Sequence, residues 1–239
     1  MRYFTISKVL LLIILCYFFS CEKDPVSPGD EGTIIDIDDN VYQTVKIGNQ
    51  CWTAENLKVT HYRNGDVISY VIDDTEWINL TMGAYCAYDD DDSNVIIYGN
   101  LYNWYAVNDS RNIAPEGWHV PSDEEWRELE MYLGMSRSQA DSTGWRGTDE
   151  ASKIKEVGIK YWRTPNTGAT NISGFSVLPS GYRSGYGPFD SINFGTFFWT
   201  SSEGSRDYSW GRMLCYNHSD IGRYHLKKQY GFPLRLVKD

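Results

Sequence analysis

The chain has 239 residues, of which 22 are basic and 32 acidic, and its formal net charge at pH 7 is −10. Loss of residues 1–20 would remove Arg2 and Lys8 and no acidic residue, so that 20 basic and 32 acidic residues would remain with a net charge of −12. Phosphate backbones and anionic lipid headgroups repel such a chain. The charge therefore argues against nucleic acid as a partner and requires a lipid for any attachment to a membrane.

Residues 1–20 have the organisation of a signal peptide that ends at a lipidation site. A positive start precedes Val9–Phe19, an apolar run of eleven residues that is too short to span a bilayer stably. Cys21 follows a small residue, as in bacterial lipoproteins, so its thiol would carry a diacylglycerol and its freed amine an acyl chain. Glu22–Asp24 resembles the signal that sends Bacteroidetes-type lipoproteins to the cell surface. We predict lipid anchoring in the outer membrane or at the cell surface; a secretory signal with a chance cysteine is the alternative.

The rest of the chain is divided into a short tether and one domain. Residues 21–32 are rich in proline, glycine and acidic side chains and predict a flexible tether. Residues 33–239 suffice for one domain that buries roughly 70% of its unfolded surface. The mature chain has three cysteines besides Cys21, which allow at most one internal disulfide of undetermined pairing. They are Cys51, Cys86 and Cys215.

The first predicted elements of the domain are strands. Residues 33–47 alternate and are rich in strand-forming residues, and Gly48-Asn49 after them is a hairpin turn signal. An irregular segment begins at Trp52, and Ala84–Tyr88 leads into an acidic loop. In Tyr98–Val107, large apolar residues at helical spacing predict a short helix.

The best-defined predicted helix begins within Gly117–Trp126. Ser122 can accept from the backbone N–H of Glu125, and the Glu125 carboxylate can accept from the backbone N–H of Ser122, which makes a capping box. The apolar face that follows at helical spacing consists of Trp126, Leu129 and Leu133. Gly134 can supply the left-handed residue that ends the helix. Four glutamates are expected on its solvated face, with a glycosidase pair as the alternative: Glu124, Glu125, Glu128 and Glu130.

The second half of the chain predicts one more helix and several strands. Asp149–Val157 has apolar residues on one helical face and ends before a glycine. Four later segments are predicted strands: Phe175–Leu178, Phe197–Thr200, Tyr208–Tyr216 and Phe232–Val237. With neither a long helix nor an internal repeat, the pattern predicts an α+β domain, with two or three short helices beside a largely antiparallel sheet with long loops.

Seven segments carry a resemblance to a known family. They are Gln50–Leu57, Tyr98–Val107, Gly117–Trp126, Gly144–Thr148, Pro165–Arg183, Phe198–Glu203 and Gly231–Val237. In this order they resemble the Fibrobacter succinogenes major paralogous domain over residues 33–239. The resemblance implies an exported, often lipidated bacterial protein of a family whose biochemical role is not established.

The family in turn resembles the C-type-lectin-like and formylglycine-generating-enzyme superfold. Two segments carry this resemblance: the helix start at His119–Trp126 and the terminal strand at Gly231–Arg235. The resemblance implies short helices packed on a largely antiparallel, twisted sheet with long loops. Formylglycine-type oxidation needs two close thiols, and Trp210–His225 contains only Cys215. Lectin-type calcium binding needs a carboxylate that Thr164-Pro165-Asn166 lacks. With no hydrolase or phosphate-loop motif present, we expect neither an enzyme nor a cofactor.

Calcium is the one metal that the sequence leaves open. The four consecutive carboxylates of Asp89, Asp90, Asp91 and Asp92 repel one another unless they are solvated or bridged by a cation. A solvated turn is the alternative. The residues Cys215, His218, Asp220 and His225 do not have the dense spacing of a zinc site.

Aromatic residues provide the remaining functional hypothesis. All nine tryptophans follow the signal peptide, and most must fill the core. Some are expected to form an exposed platform for sugar rings or a protein partner. The candidates are Tyr182, Arg183, Tyr186 and Phe189, in and beside the glycine-rich loop Ser180–Pro188. The expected function is a non-catalytic binding or adhesion module for glycans or surface proteins. The alternatives are a structural component of a surface assembly and an enzyme with an unrecognised site, for example a metal-dependent site at Asp89–Asp92.

Overall fold

The structure, a computed structural model, describes residues 32–239. The predicted signal peptide at residues 1–20, the lipidation site Cys21 and the tether as far as Glu31 lie outside the described residues. Between residues 32 and 239, every helix is too short or too polar to cross a membrane.

Short strands and helices alternate along the described chain. The strands are β1 (Thr33–Ile35), β2 (Val41–Ile47), β3 (Gln50–Thr53), β4 (Ser69–Tyr70), β5 (Ala84–Cys86), β6 (Leu101–Tyr102), β7 (Trp118–His119), β8 (Gly144–Arg146), β9 (Ser180–Arg183), β10 (Phe189–Ile192), β11 (Gly195–Glu203), β12 (Tyr208–Cys215), β13 (Ile221–Lys227) and β14 (Val237–Lys238). The helices are α1 (Asp74–Ile78), α2 (Asp92–Tyr98), α3 (Trp104–Val107), α4 (Asp123–Tyr132), α5 (Arg137–Asp141) and α6 (Glu150–Ile154), and a 3₁₀ turn spans Tyr88–Asp90.

The strands form three sheets, with the orders β1-β2-β3-β14-β7, β10-β9-β11-β12-β13-β8 and β4-β5-β6. Among these pairs, only β4 with β5 and β9 with β11 run parallel. Strand β14 pairs with both β3 and β7, so the end of the chain joins the start of the domain to the segment that leads into α4. The predicted α+β class with largely antiparallel pairing is confirmed. The C-type-lectin-like topology stays a prediction.

Residues 33–47, predicted as one β-rich segment, form two strands separated by a turn. The Asp36 carboxylate organises this turn by accepting the backbone N–H groups of Asp38 and Asn40 at 2.9 and 3.0 Å. The next hairpin, between β2 and β3, turns at Gly48 with a φ of 62°, as the turn signal predicts. The strand propensity of residues 33–47 favours one continuous strand, but local side-chain hydrogen bonds divide the segment into two.

Helix α4 begins at the predicted capping box. The Ser122 hydroxyl oxygen accepts the Glu125 N–H at 3.2 Å, and the Glu125 carboxylate accepts the Ser122 N–H at 2.7 Å. The Trp126 ring is buried, and its centroid lies 5.2 Å from that of Trp52 in β3 and 5.5 Å from that of Phe198 in β11. The local sequence starts the helix, and its apolar face attaches it to both large sheets.

The prediction of one helix over Tyr98–Val107 is wrong. Helix α2 ends at Tyr98, because Gly99 follows with a φ of 74°, a left-handed conformation that interrupts the helix. After β6, Asn103 caps the separate helix α3 by accepting the N–H of Ala106 at 3.1 Å. The glycine and the cap override the helical spacing of the aromatic residues.

Other predicted elements are shorter than expected or are confirmed. The helix predicted over Asp149–Val157 ends at Ile154, since Lys155 leaves the helix and forms an isolated β-bridge with Val177. The strand predicted over Phe175–Leu178 is wrong, because this single bridge does not extend into a strand. Of the strand predicted over Phe232–Val237, only the two ends pair: Phe232 forms an isolated bridge, and Val237 is the first residue of β14. The remaining two predicted strands correspond to β11 and β12.

A buried ion-pair network joins α4 to the six-stranded sheet. The Glu130 carboxylate accepts from Arg146 at 2.8 Å and from Arg212 at 2.7 Å. The Asp123 carboxylate accepts from Arg212 and Arg223, both at 2.7 Å. Burial alone would raise the pKa of Asp123, but hydrogen bonds and charges from the two arginines lower it to about 2. Glu130 is fully buried, so the expectation that it lies on the solvated face of α4 is wrong.

The core consists of three apolar clusters. The first surrounds Trp126 between α4 and the two large sheets. The second surrounds Trp199 and Phe232, whose ring centroids lie 4.4 Å apart, and the third, smaller cluster surrounds Trp77. Large aromatic rings at all three centres agree with the expectation that most aromatic residues fill the core.

The three cysteines of the domain are free thiols. Cys86 is buried beside the third cluster, and burial raises the pKa of its thiol to about 12. The disulfide that the cysteine count allows is not formed within residues 32–239, where packing and the ion-pair network hold the fold instead.

Candidate functional site

The four predicted ligand-binding residues lie around the β9–β10 hairpin in different surroundings. Arg183 is fully buried, and its guanidinium donates to the carbonyl oxygens of Val71, Ile72 and Gly187 at 2.6–2.9 Å. It also pairs with the Asp74 carboxylate at 2.8 Å. Arg183 therefore connects the hairpin to the segment before α1, and its charge is not presented at the surface.

Tyr182 and Phe189 are half-buried and pack against neighbouring aromatic rings. The Tyr182 ring centroid lies 5.1 Å from that of Phe197, and the Phe189 centroid lies 5.2 Å from that of Tyr88. Both rings extend the apolar clusters to the surface, where only part of each side chain is accessible.

Tyr186 is the exposed member of the set, with 65% of its surface accessible. The Lys227 ammonium donates to its hydroxyl oxygen at 2.9 Å and lies 4.7 Å from the ring centre. Together with Tyr208 they line an open cleft of about 460 Å³. The predicted platform is therefore reduced to one exposed ring beside a lysine.

The four consecutive aspartates have different roles. Asp91 caps α2 by accepting the N–H of Ser93 at 2.9 Å, which lowers its pKa, whereas burial raises the pKa of Asp90. Asp92 begins α2 and lines an open cleft. No group of three His, Cys, Asp or Glu side chains within residues 32–239 converges as a metal site would require. Calcium at Asp89–Asp92 stays a prediction.

An open cleft of about 580 Å³ lies between β4, β5 and α2, and we call it the tyrosine cleft. It is lined by Asn40, Lys58, Thr60, Tyr70, Tyr85, Asp92, Val95, Ile96 and Asn100. Tyr70 and Tyr85 are direct neighbours in the parallel pairing of β4 and β5, and their ring centroids lie 5.2 Å apart at 44°. Burial raises the pKa of both hydroxyl groups, which keeps them protonated and able to donate at neutral pH.

Hydrogen bonds hold two of the polar side chains of the tyrosine cleft, those of Asn40 and Asn100. The Asn40 amide donates to the Asp36 carboxylate at 2.9 Å, and the Asn100 amide donates to the Lys58 carbonyl oxygen at 2.8 Å. The Lys58 ammonium lies 5.3 Å from the ring centre of Tyr42. The cleft thus combines two aromatic rings with amides, an ammonium and a carboxylate, a composition suited to a hydroxyl-rich ligand.

A second cleft of about 230 Å³ adjoins the first, and we call it the arginine cleft. It shares Lys58, Val95 and Ile96 with the tyrosine cleft, so the two form a continuous groove along α2. Its own lining consists of Ala54, Glu55, Asn56, Ile97, Gly99, Glu156, Tyr161, Ser176, Leu178 and Arg235.

Sequence reasoning missed this groove, although one signal was available. Helix α2 leaves Ile96 80% exposed and Ile97 44% exposed, two adjacent apolar side chains in its second half. Exposed apolar residues beside a concave surface often mark a binding site. The signal is weak on its own, because a single sequence does not show which of its isoleucines are exposed.

Comparison with known proteins gives one match. The family model of the Fibrobacter succinogenes major domain matches residues 45–238. Neither the curated proteins nor the solved structures contain a match to the chain. The matched range includes the whole of the β9–β10 hairpin and of the buried ion-pair network. It also includes the groove along α2 except for Asn40.

Proposed function

The chain belongs to the Fibrobacter succinogenes major domain family. We propose that it is a lipid-anchored cell-surface protein whose domain binds glycans without catalysis. The geometry of the tyrosine cleft carries the glycan part of this proposal. The N-terminal sequence, with its apolar run before Cys21, supports the anchor.

The tyrosine cleft supports glycan binding through the arrangement of its aromatic and polar side chains. Sugar rings have an apolar face of C–H groups that packs on aromatic rings, and Tyr70 and Tyr85 offer two adjacent rings. Sugar hydroxyl groups both donate and accept, and Asp92, Lys58 and Asn100 offer acceptors and a donor around those rings. A nearly enclosed apolar pocket would instead favour a hydrophobic small molecule.

Removal of one tyrosine ring should weaken glycan binding. Tyr70 is 45% exposed, so Tyr70→Ala removes a stacking surface with little loss of buried packing. We expect the affinity of the full-length protein in detergent micelles for its glycan-array ligands to fall about tenfold, equivalent to about 1.4 kcal/mol. Tyr132→Ala, which removes a ring of similar exposure from α4, is the matched control and should leave affinity unchanged.

The same array experiment separates the other hypotheses. If Tyr186→Ala abolishes binding while Tyr70→Ala does not, the β9–β10 hairpin is the binding surface and the tyrosine cleft is not. If no glycan binds and the protein recovers an envelope protein, a structural component of a surface assembly is favoured. Turnover of a glycan would make the domain an enzyme and would contradict a purely binding role.

The lipid anchor has a direct test. Cys21→Ala removes the thiol that would carry the diacylglycerol, so we expect the protein to move from the membrane fraction to the soluble fraction after cell lysis. Cys215→Ala removes a free thiol from the domain and should leave the protein in the membrane fraction. Membrane association that survives Cys21→Ala would exclude the lipid as the anchor.

A further inference from the structure

We propose that the arginine cleft binds a carboxylate group of the ligand, so that the glycan recognised along α2 contains uronic acid units. This inference rests on the proposed glycan-binding function and specifies the class of glycan. It begins from Arg235, which is 98% buried at the wall of that cleft.

The hydrogen bonds of Arg235 leave one donor unused. Its Nε donates to the Asn56 side-chain oxygen at 2.7 Å, and its Nη1 donates to the carbonyl oxygens of Thr53 and Phe175 at 2.8 and 2.9 Å. Its Nη2 has two N–H groups and donates to the Ser176 carbonyl oxygen at 3.1 Å, with no second acceptor within residues 32–239. The bond to Ser176 is also the least buried of the four, and Ser176 itself lines the arginine cleft.

Arg235 differs from the other buried arginines of the domain in its charge partners. Arg146, Arg183, Arg212 and Arg223 each form an ion pair with a carboxylate at 2.7–2.8 Å. The direct hydrogen-bond partners of Arg235 are carbonyl and amide oxygens, and it forms no ion pair within residues 32–239. Burial lowers its pKa to about 9, although the charge of Glu55 in the same cleft opposes this shift. A ligand carboxylate entering the cleft would supply the direct partner that Arg235 lacks.

The remaining lining suits one sugar ring that carries one carboxylate. Lys58 adds a second positive charge between the two clefts, and Leu178 adds an apolar wall. Glu55 and Glu156 can accept hydrogen bonds from sugar hydroxyl groups, and they would repel additional negative charges. A uronic acid unit in the arginine cleft is therefore favoured over a densely sulfated chain, and the tyrosine cleft would take the neighbouring unit.

The test compares acidic and neutral forms of the same sugar chain. The full-length protein in detergent micelles is titrated calorimetrically with oligogalacturonic and oligoglucuronic acids and with their methyl esters, which keep the ring and hydroxyl groups and lose the charge. We expect at least one acid to bind about tenfold tighter than its ester, equivalent to about 1.4 kcal/mol. The preference should weaken at high salt, because it depends on charge.

Three variants separate this inference from the proposed function. Leu178→Trp fills the arginine cleft without altering Arg235, and it should abolish the preference for the acid while the thermal unfolding temperature is maintained. Lys58→Gln should reduce the preference several-fold. Tyr70→Ala should weaken acid and ester equally, because it acts in the tyrosine cleft.

Each other outcome decides against the inference. Equal binding of acid and ester would overturn carboxylate recognition and leave the proposed glycan binding intact. The same conclusion would follow if every glycan bound on the array were neutral. Binding of a glutamate-rich peptide in place of the sugar acids would show that the carboxylate comes from a protein. Absence of binding to all array glycans and to the acids would contradict both proposals.

Discussion

Replacement of Glu130 by alanine is expected to lower the free energy of unfolding by about 3–5 kcal/mol. Both oxygens of this carboxylate are used: one accepts from Arg212 at 2.7 Å and from Arg146 at 2.9 Å, and the other accepts from Arg146 at 2.8 Å. All three side chains are buried between α4 and the six-stranded sheet. The variant keeps two buried guanidinium groups: Arg146 loses its carboxylate partner, and Arg212 keeps only Asp123.

Chemical denaturation of the full-length protein in detergent, followed by tryptophan fluorescence, measures this loss. Glu128→Ala is the matched control, because Glu128 lies on the same helix and is exposed, and it should change stability by no more than about 0.5 kcal/mol. Glu130→Gln keeps the shape of the side chain and some of its hydrogen bonds, so its loss of stability should lie between those of Glu128→Ala and Glu130→Ala. A loss below 1 kcal/mol for Glu130→Ala would show that the arginines find other partners or water.

Replacement of Trp126 by alanine should destabilise the domain by a similar amount, about 3–5 kcal/mol. The Trp126 ring is fully buried and contacts the rings of Trp52, Phe175 and Phe198, with centroid distances of 5.2–5.9 Å. Its loss leaves a cavity where α4 meets both large sheets. These rings come from distant parts of the chain and cannot easily close the space.

Trp126→Phe provides the discriminating comparison. The indole N–H of Trp126 has no hydrogen-bond partner within residues 32–239, so phenylalanine removes a buried unsatisfied donor as well as part of the ring. We expect Trp126→Phe to lose less than half as much stability as Trp126→Ala in the same denaturation experiment. Equal losses for the two variants would mean that the indole N–H is solvated or bonded and that its removal is costly. Tyr132→Ala, at an exposed position of α4, is the control.

Local features of the fold were predictable because neighbouring residues determine them. The capping box at Ser122 and Glu125, the start of α4 and the turn at Gly48 were all predicted and found. Each depends on hydrogen bonds or backbone conformations within a few positions of the chain. The helix predicted over Tyr98–Val107 fails for a related reason, since the conformation of Gly99 outweighs the spacing of larger side chains.

The roles of buried charges were not predictable from local patterns. Glu130 has the sequence context of an exposed helical residue, and Arg183 that of a glycine-rich loop, yet Arg183 ends strand β9 and both side chains are fully buried. Their partners are distant in the chain: Arg212 lies 82 positions from Glu130, and Val71 lies 112 positions from Arg183. Helical periodicity cannot distinguish a solvated glutamate from one that pairs with an arginine of a later strand.

The sequence by itself determined the acidic charge, the capped helix α4 and the family of the domain, because each depends on composition, adjacent residues or ordered motifs. Only the tertiary structure decided which aromatic rings are exposed and where a ligand could enter. The groove along α2 combines Asn40, Tyr70, Asp92 and Arg235, which come from separate segments of the chain. Long-range packing brings these segments together and leaves Arg235 without a direct ion pair within residues 32–239, and neither result is encoded in any one stretch of sequence.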